Sequence, residues 1–269
     1  MLIMIEIAGA AAVVTGGGNG IGKALATRLA EGGARVVVND LDAEAACAVA
    51  AEIGGYAVPG DAASAAGARE LVARSRDQLG EIDLFCANAG IAEQGGPDAA
   101  EAVWRRSWEV NVMAHVRAAT ELLPSWLARG HGRFVVTASA AGLLTMLGSA
   151  PYSVTKHAAV AFAEWLSVTY AHRGITVQCL CPQGVRTRML PEEGTAGHAV
   201  LGDSAIEPEQ VADTFWEALG DDRFLILPHP EVAGYYATRA TATEDWLGAM
   251  RRMQQRIETL PTSGRQTDQ

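Results

Sequence analysis

Tyr152 and Lys156 stand four residues apart, directly after Pro151. Proline suits the first position of a helix, and a helix begun there puts phenol and ammonium on one face, a turn apart. Ser139 lies thirteen residues before the tyrosine, at the end of the strand-like run RFVVTAS. Of the 21 basic residues only Lys23 and Lys156 are lysines. A chain that otherwise uses arginine and keeps lysine here points to a need for a compact ammonium on a flexible stem, which a planar guanidinium does not reproduce. Such a pair offers proton transfer. A phenol titrates near pH 10, and lowering that by about two to three pK takes about 3–4 kcal/mol. One cation at about 4 Å supplies roughly this at an effective dielectric near 20. The same spacing on a surface helix would do nothing, so the surrounding elements decide.

A second stretch, Thr15-Gly-Gly-Gly-Asn-Gly-Ile-Gly22, lies between a predicted strand and a helix starting near Ile21. Glycines there permit a tight turn, let a pyrophosphate approach the backbone and leave its charge on a helix N-terminus. The spacing is Gly16-x-x-x-Gly20-x-Gly22, not the strict G-x-G-x-x-G, and an ordinary strand–helix turn would look similar. The next strand ends in Asn39-Asp40. An acid at that strand end is placed to bind adenosine ribose hydroxyls and to repel a 2′-phosphate. Neither Asn19 nor Leu41 supplies a cation, so the expected cofactor is NAD rather than NADP.

These residues need a scaffold, and the pattern supplies one. Strands are predicted at Ala11–Thr15, Arg35–Asn39, Tyr56–Val58, Ile82–Cys86, Gly132–Thr137, Thr176–Leu180 and Phe224–Leu227. Helices are predicted at about 20–31, 42–53, 64–79, 99–128, 151–172 and 207–219. Runs such as VVVN and FVVT are apolar without alternation, as in strands covered on both faces. The alternation implies right-handed βαβ units in an α/β fold: one Rossmann-type, doubly wound domain with a seven-stranded, mostly parallel sheet. The domain is expected to span 1–269, with a core at about 8–228, a helical extension at 229–260 centred on Glu244–Ile257, and a frayed tail at 261–269.

A net charge of −10 argues against nucleic acid or an anionic membrane as partner. Cys47, Cys86, Cys179 and Cys181 lack metal-site spacing and are expected to be reduced, buried thiols in a cytoplasmic protein. No metal is expected. The apolar opening MLIMIEIAGAAAVV carries Glu6 and no basic leader, and it is predicted to approach the first strand.

The set TGGGNGIG, Asp40, Asp61, Asn88-Ala-Gly90, Asn111, Ser139 and Tyr152-x-x-x-Lys156 resembles the short-chain dehydrogenase/reductase family, in its single-domain T-G-x-x-x-G-x-G branch. The resemblance runs from about residue 8 to Leu227. It implies an enzyme acting on CH–OH groups and interconverting a secondary alcohol and a ketone. Thr15, Gly16, Gly18, Asn19, Gly20, Ile21 and Gly22 would hold the pyrophosphate, and Asp40 with Leu41 the adenosine ribose. Asp61 and Ala62 would frame the adenine, although Asp61 could simply cap a helix. Asn88, Ala89 and Gly90 would close the cofactor floor, and Val185 and Thr187 would meet the nicotinamide carboxamide. Tyr152 would be general acid/base and Ser139 would bind the reacting oxygen. Lys156 would lower the phenol's pKa and hold the nicotinamide ribose, and Asn111 would bend its helix and help hold a water. One departure stands in Pro182-Gln183-Gly184-Val185-Arg186-Thr187, where Gln183 replaces the family's usual glycine.

Cavity walls are expected from Ala140–Ala150, Ile91–Pro97 and a lid at Arg188–Ile206, and the apolar first wall favours an apolar alcohol or ketone. Arg186 and Arg188 could bind a substrate anion or simply be solvated. The resemblance implies a homotetramer or dimer with helices 99–128 and 151–172 at the interface, though Trp165 and Phe162 could equally face the sheet. Two other readings stay open: an epimerase or dehydratase of the same family, and a non-catalytic dinucleotide-binding regulator.

Overall fold

The computed structural model describes residues 7–190, 201–202 and 204–259. Seven strands, β1 (Ala11–Thr15), β2 (Arg35–Asn39), β3 (Tyr56–Ala57), β4 (Leu84–Ala87), β5 (Gly132–Thr137), β6 (Ile175–Leu180) and β7 (Leu225–Ile226), form one sheet in the order β3-β2-β1-β4-β5-β6-β7. Every pairing in it is parallel. All of β1 is buried, and its neighbouring valines serve opposite faces. Val13 packs with Phe85, Phe134 and Trp126, while Val14 packs with Leu25, Leu29 and Phe215. That two-sided burial is why these strands read as unbroken apolar runs. Each fully buried large side chain contributes about 1.5–3 kcal/mol. The strand order reverses between β1 and β4, and a crevice opens at such a point outside the strands' carboxyl ends.

Helices α1 (Gly20–Glu31), α2 (Ala43–Ile53) and α3 (Ala65–Leu79) follow the first three strands. Asp42 and Ser64 cap α2 and α3, accepting from the Ala45 and Gly67 N–H groups. The predicted continuous helix 99–128 is instead α4 (Glu101–Trp108), a π turn (Glu109–Met113) and α5 (Ala114–Arg129). The extra residue of the π turn falls where Asn111 turns its amide to the loop after β4; such bulges recur at functional sites. Helix α6 (Ala150–Tyr170) carries Tyr152 and Lys156, and α7 (Pro208–Leu219) packs beside α1.

Beyond β7 the extension holds two helices, α8 (Glu231–Thr241) and α9 (Thr243–Thr259), where one was predicted. In EVAGYYATRAT a glycine and β-branched threonines, poor helix formers, masked α8. Cys47 is exposed on α2, against the expectation of burial, because it falls on that helix's solvent face; the other three thiols are buried. The expected lid at Arg188–Ile206 falls mostly on 191–200 and 203, and the tail 261–269 entirely, outside the described residues.

Candidate active site

The glycine turn joins β1 to α1. Its backbone could carry little else: Gly16 has φ +63° and Gly20 φ +51°, and a Cβ on Gly22 would sit 2.0 Å from the Gly16 carbonyl oxygen. A Cβ on Gly18 would press on Ala45 and Asp40. Helix α1 has no acidic residue in its first turn, and the Asn19 side chain does not cap it. Its free N–H groups, with the helix dipole behind them, therefore favour an anion. At the end of β2 one oxygen of Asp40 accepts from the Gly18 N–H at 2.9 Å, and the other accepts from the Asp42 N–H at 3.0 Å. The carboxylate is thereby held at the crevice edge, beside an exposed Leu41.

Thr15 and Asn88 tie β1 to β4. The Asn88 and Ala89 N–H groups each donate to Thr15 Oγ1 at 3.0 Å, and Asn88 Nδ2 donates to the Thr15 carbonyl at 3.0 Å. Fully buried Asn111 donates to the Ile91 carbonyl and accepts from its N–H, both at 2.9 Å, and donates to Thr155 Oγ1 at 3.1 Å. It therefore fixes the loop after β4 against α6. Asp61 accepts from the Ala63 N–H at 2.9 Å while Ser64 caps α3, so Asp61 shapes the turn before the cap.

Ser139, at the end of β5, accepts from the Ala141 N–H at 3.0 Å. Lys156 is 3% exposed, donates to the Thr137 carbonyl at 3.0 Å, and lies 5.6 Å from the centroid of the Tyr152 ring. Burial lowers the Lys156 ammonium from 10.5 to about 8, partly opposed by the Cys179 and Cys181 thiols. Burial also raises the Tyr152 phenol above its ordinary value; the Ser139 hydroxyl opposes this and Cys181 adds to it. In the chain alone the direction is thus set by burial, which outweighs the neighbouring groups; the lowering expected for the phenol counts Lys156 together with an oxidised nicotinamide ring. The ammonium lies 5.6 Å from the ring centroid and is held by a backbone carbonyl.

These elements enclose one cleft of about 1330 Å³. Gly16, Asn19, Gly20, Ile21, Gly22, Asp40, Leu41, Asp61, Ala62, Asn88, Ala89, Gly90, Ser139, Tyr152, Lys156, Val185 and Thr187 line it. Thr15, Gly18 and Asn111 do not; they brace the lining from behind. Expected wall residues Ile91, Leu144 and Met146 are also present in the lining. Arg186 pairs with Glu207 at 3.1 Å, and Arg186 and Arg188, both exposed to solvent, also line the cleft.

Some of the machinery was invisible in the sequence. The Gln183 N–H donates to His229 Nδ1 at 3.1 Å, and the other ring nitrogen of His229 meets the Ser204 carbonyl at 3.2 Å. The ring thus carries its proton on Nε2 and props the turn where glycine is usual, while Gln183 Oε1 is buried without a partner. No local motif marks His229. Trp246, Met250 and Met253 of α9 also line the cleft; their helical spacing was readable, but their destination was not.

A doubly wound sheet, a glycine cradle at its switch point and a Ser/Tyr/Lys cluster at the same crevice define a Rossmann-type oxidoreductase. The chain belongs to the short chain dehydrogenase family, whose profile matches residues 10–196. It is 38% identical over 234 residues to a 1-deoxy-11-beta-hydroxypentalenate dehydrogenase of Streptomyces exfoliatus, covering 82% of this chain and 83% of that one. It is 31% identical over 191 residues to 3beta-hydroxysteroid dehydrogenase 2 of Eggerthella lenta, covering 68% and 74%. Among solved structures, a short chain dehydrogenase/reductase from Burkholderia phymatum in complex with NAD superposes with a TM-score of 0.82 at 27% identity, covering 90% of this chain and 96% of that one. The protein is thus an oxidoreductase of a family acting on hydroxyl groups. No helix among the described residues is long and apolar enough to cross a membrane.

Proposed function

We propose that this protein is an NAD-dependent oxidoreductase interconverting a secondary alcohol and a ketone on an apolar substrate, with Tyr152 as general acid/base. The observation that carries this is one continuous cleft with a carboxylate-edged glycine cradle at one part and Ser139, Tyr152 and Lys156 at another. The cradle fits a dinucleotide: Gly18 and Gly22 leave no room for side chains, and the start of α1 is uncapped and free of acids. Thr15 to Gly22 would hold the pyrophosphate, Asp40 and Leu41 the ribose, Asp61 and Ala62 the adenine side, and Asn88 to Gly90 the floor. Val185 and Thr187 would face the nicotinamide end. When bound, the dinucleotide supplies the hydride acceptor or donor. Asp40 favours NAD because a 2′-phosphate would meet its negative charge.

The chain's own groups handle the proton. Burial keeps the Tyr152 phenol protonated, which suits it to donate to a carbonyl oxygen as that oxygen gains charge. The Ser139 hydroxyl donates to the same oxygen and orients it. In the oxidative direction Tyr152 would have to give up its own proton first, and its phenolate, stabilised by the nearby Lys156 ammonium, would then accept the alcohol proton. Asn111 positions α6 against the loop after β4 and so aims that pair. Two of the relatives are named as dehydrogenases of a hydroxypentalenate and a hydroxysteroid, in keeping with an apolar carbinol substrate. The reading includes a single-domain cytoplasmic enzyme that self-associates as a homodimer or homotetramer. Trp165, 56% exposed on α6, supports self-association, whereas Phe162 packs against the core as the other reading had it.

The test is a panel of secondary alcohols and ketones read at 340 nm with NAD(H) and NADP(H), alongside Tyr152→Phe. The wild type is expected to turn over with NAD(H). The variant should bind NADH normally and lose about 10²-fold or more of turnover. Turnover of the variant within tenfold of wild type would refute the role.

A further inference from the structure

His229 stands between β7 and α8, in the run Leu227-Pro228-His229-Pro230, and is 3% exposed. Each proline fixes its own φ and restricts the residue before it, so the backbone that carries the ring has little freedom. The His229 carbonyl accepts from the Val232 N–H at 3.1 Å, and Val232 is fully buried in the main core. The ring therefore projects from a rigid base. Its Nδ1 accepts from the Gln183 N–H at 3.1 Å, and its Nε2 donates to the Ser204 carbonyl at 3.2 Å. A neutral imidazole offers one acceptor and one donor, and both are in use.

The peptide that His229 holds by its N–H reaches Ser139 by its carbonyl. A trans peptide points these two groups in opposite directions. With the Gln183 N–H on His229, the Pro182 carbonyl faces the end of β5. There it accepts from the Ala140 N–H at 2.8 Å and from the Ser139 hydroxyl at 3.4 Å. The Ser139 oxygen accepts in turn from the Ala141 N–H at 3.0 Å. The carbonyl thus makes its strong bond to the backbone. Its bond to the hydroxyl is long beside the roughly 2.7–2.8 Å usual for O–H···O. Such a bond orients the hydroxyl in the resting site and yields readily to a substrate oxygen.

The rest of the turn has its own brace. The Ile206 N–H donates to the Gly184 carbonyl at 3.1 Å, and the Arg186 N–H donates to the Ile206 carbonyl at 2.9 Å. Val185 and Thr187 belong to that braced part. What His229 adds is a hold on the 182–183 peptide, the part that faces Ser139.

We infer that His229 is a positioning residue for Ser139. Through the Pro182–Gln183 peptide it keeps the Pro182 carbonyl close enough to orient the serine hydroxyl and too far to retain its hydrogen. This rests on the oxidoreductase reading of the cleft, in which Ser139 donates to the reacting oxygen. Without the Nδ1 acceptor the Gln183 N–H would have to turn to another partner. The peptide would rotate with it, and the carbonyl would shift against Ser139. An error of that kind acts on turnover more than on cofactor binding.

Two substitutions separate the bonds of the ring. Asparagine carries its side-chain oxygen as many bonds from Cβ as Nδ1, and glutamine carries its nitrogen as many as Nε2. His229→Asn therefore keeps an acceptor for Gln183 and gives up Ser204, and His229→Gln does the reverse. Turnover is read with NADH and the fastest ketone among cyclohexanone, acetophenone and 2-octanone. His229→Gln should lose about tenfold in kcat, with KM and NADH affinity within about threefold of wild type, and His229→Asn should hold kcat within about threefold. Where His229→Gln does not fold, Gln183→Pro takes its place, because proline removes the same N–H. Hydrogen exchange followed by NMR gives a readout free of turnover. The Ala140 and Ala141 amides should exchange faster in His229→Gln and at the wild-type rate in His229→Asn. Equal kcat for the two variants, the reverse order, or a loss confined to NADH affinity would overturn the inference, as would unchanged exchange of both amides in His229→Gln. If wild type reduces none of the ketones, the oxidoreductase reading fails, and exchange at Ala140 and Ala141 still decides whether His229 holds the serine.

Discussion

Replacing Lys156 with methionine should abolish turnover and, at neutral pH, cost no stability or even add some. The ammonium is 3% exposed, and burial brings it from 10.5 to about 8. At 1.36 kcal/mol per pK, that gap means the folded chain bears about 3 kcal/mol for keeping this group charged at pH 7. Methionine has a similar length and carries no charge, but leaves the Thr137 carbonyl without its donor, which costs about 1–3 kcal/mol. The two nearly cancel, so the pH dependence is the sharper readout. Because the native pKa lies below the unfolded one, the unfolded chain binds more protons between about pH 8 and 10.5. Wild type therefore gains stability as pH rises through that window, and the penalty is fully present below it. Integrating from pH 7 to 9.5, wild type should gain about 2 kcal/mol relative to Lys156→Met. Other titrating groups are common to both proteins and drop out of the difference. Urea unfolding of both cofactor-free proteins at the two pH values measures it. A wild type–variant difference constant within about 0.5 kcal/mol would show that the ammonium bears no burial penalty, and the reasoning would fail.

Asp40→Ala should lower affinity for both cofactors, since the carboxylate also holds the Gly18 N–H; its diagnostic effect is on their ratio. The NAD-over-NADP preference in kcat/KM should fall by about tenfold or more, the worth of one charge contact of about 1.4 kcal/mol, and an unchanged ratio would remove Asp40 as the discriminator. Gly22→Ala would put a methyl carbon 2.0 Å from the Gly16 carbonyl oxygen. NADH titration followed by fluorescence should show at least a tenfold weaker complex with an unchanged circular dichroism spectrum, and wild-type affinity would mean the cradle is not where the pyrophosphate lies.

How much of this was legible in the sequence depends on whether the information is local. β1 and β2 came out at Ala11–Thr15 and Arg35–Asn39 because their central residues, AAVV and VVV, are buried on both faces and so form unbroken apolar runs that end at the glycine turn and at the acid. Tyr152, Lys156 and Ser139 could be grouped because two elements, α6 and β5, suffice to bring them together. Asn111 is intermediate. Its poor helix propensity was visible, but the π turn arises from hydrogen bonds to Ile91, twenty residues away. His229 and the α9 stripe were not legible as site residues at all. Their partners, Gln183 and the open cleft, are chosen by how the extension folds back, and no short-range pattern encodes that.

The phenol's titration depends on more than helix spacing. The sequence supplied a cation within one helical turn, but in the chain alone the direction is set by the burial around Tyr152, which no local pattern shows. Lysine scarcity shows the same division. Lys23, the other lysine, lines the cleft and pairs with Glu52 at 2.7 Å, with both side chains largely exposed, so rarity alone does not separate it from buried Lys156. What requires lysine at 156 is space. A Cβ on Gly90 would already lie 3.3 Å from Nζ and 3.2 Å from Asn111 Oδ1, while Thr137 holds the ammonium from another side. A guanidinium, broader and planar, would have to displace the loop that Asn111 pins. The residue type was right in the sequence for a reason that only the packing around Gly90 supplies.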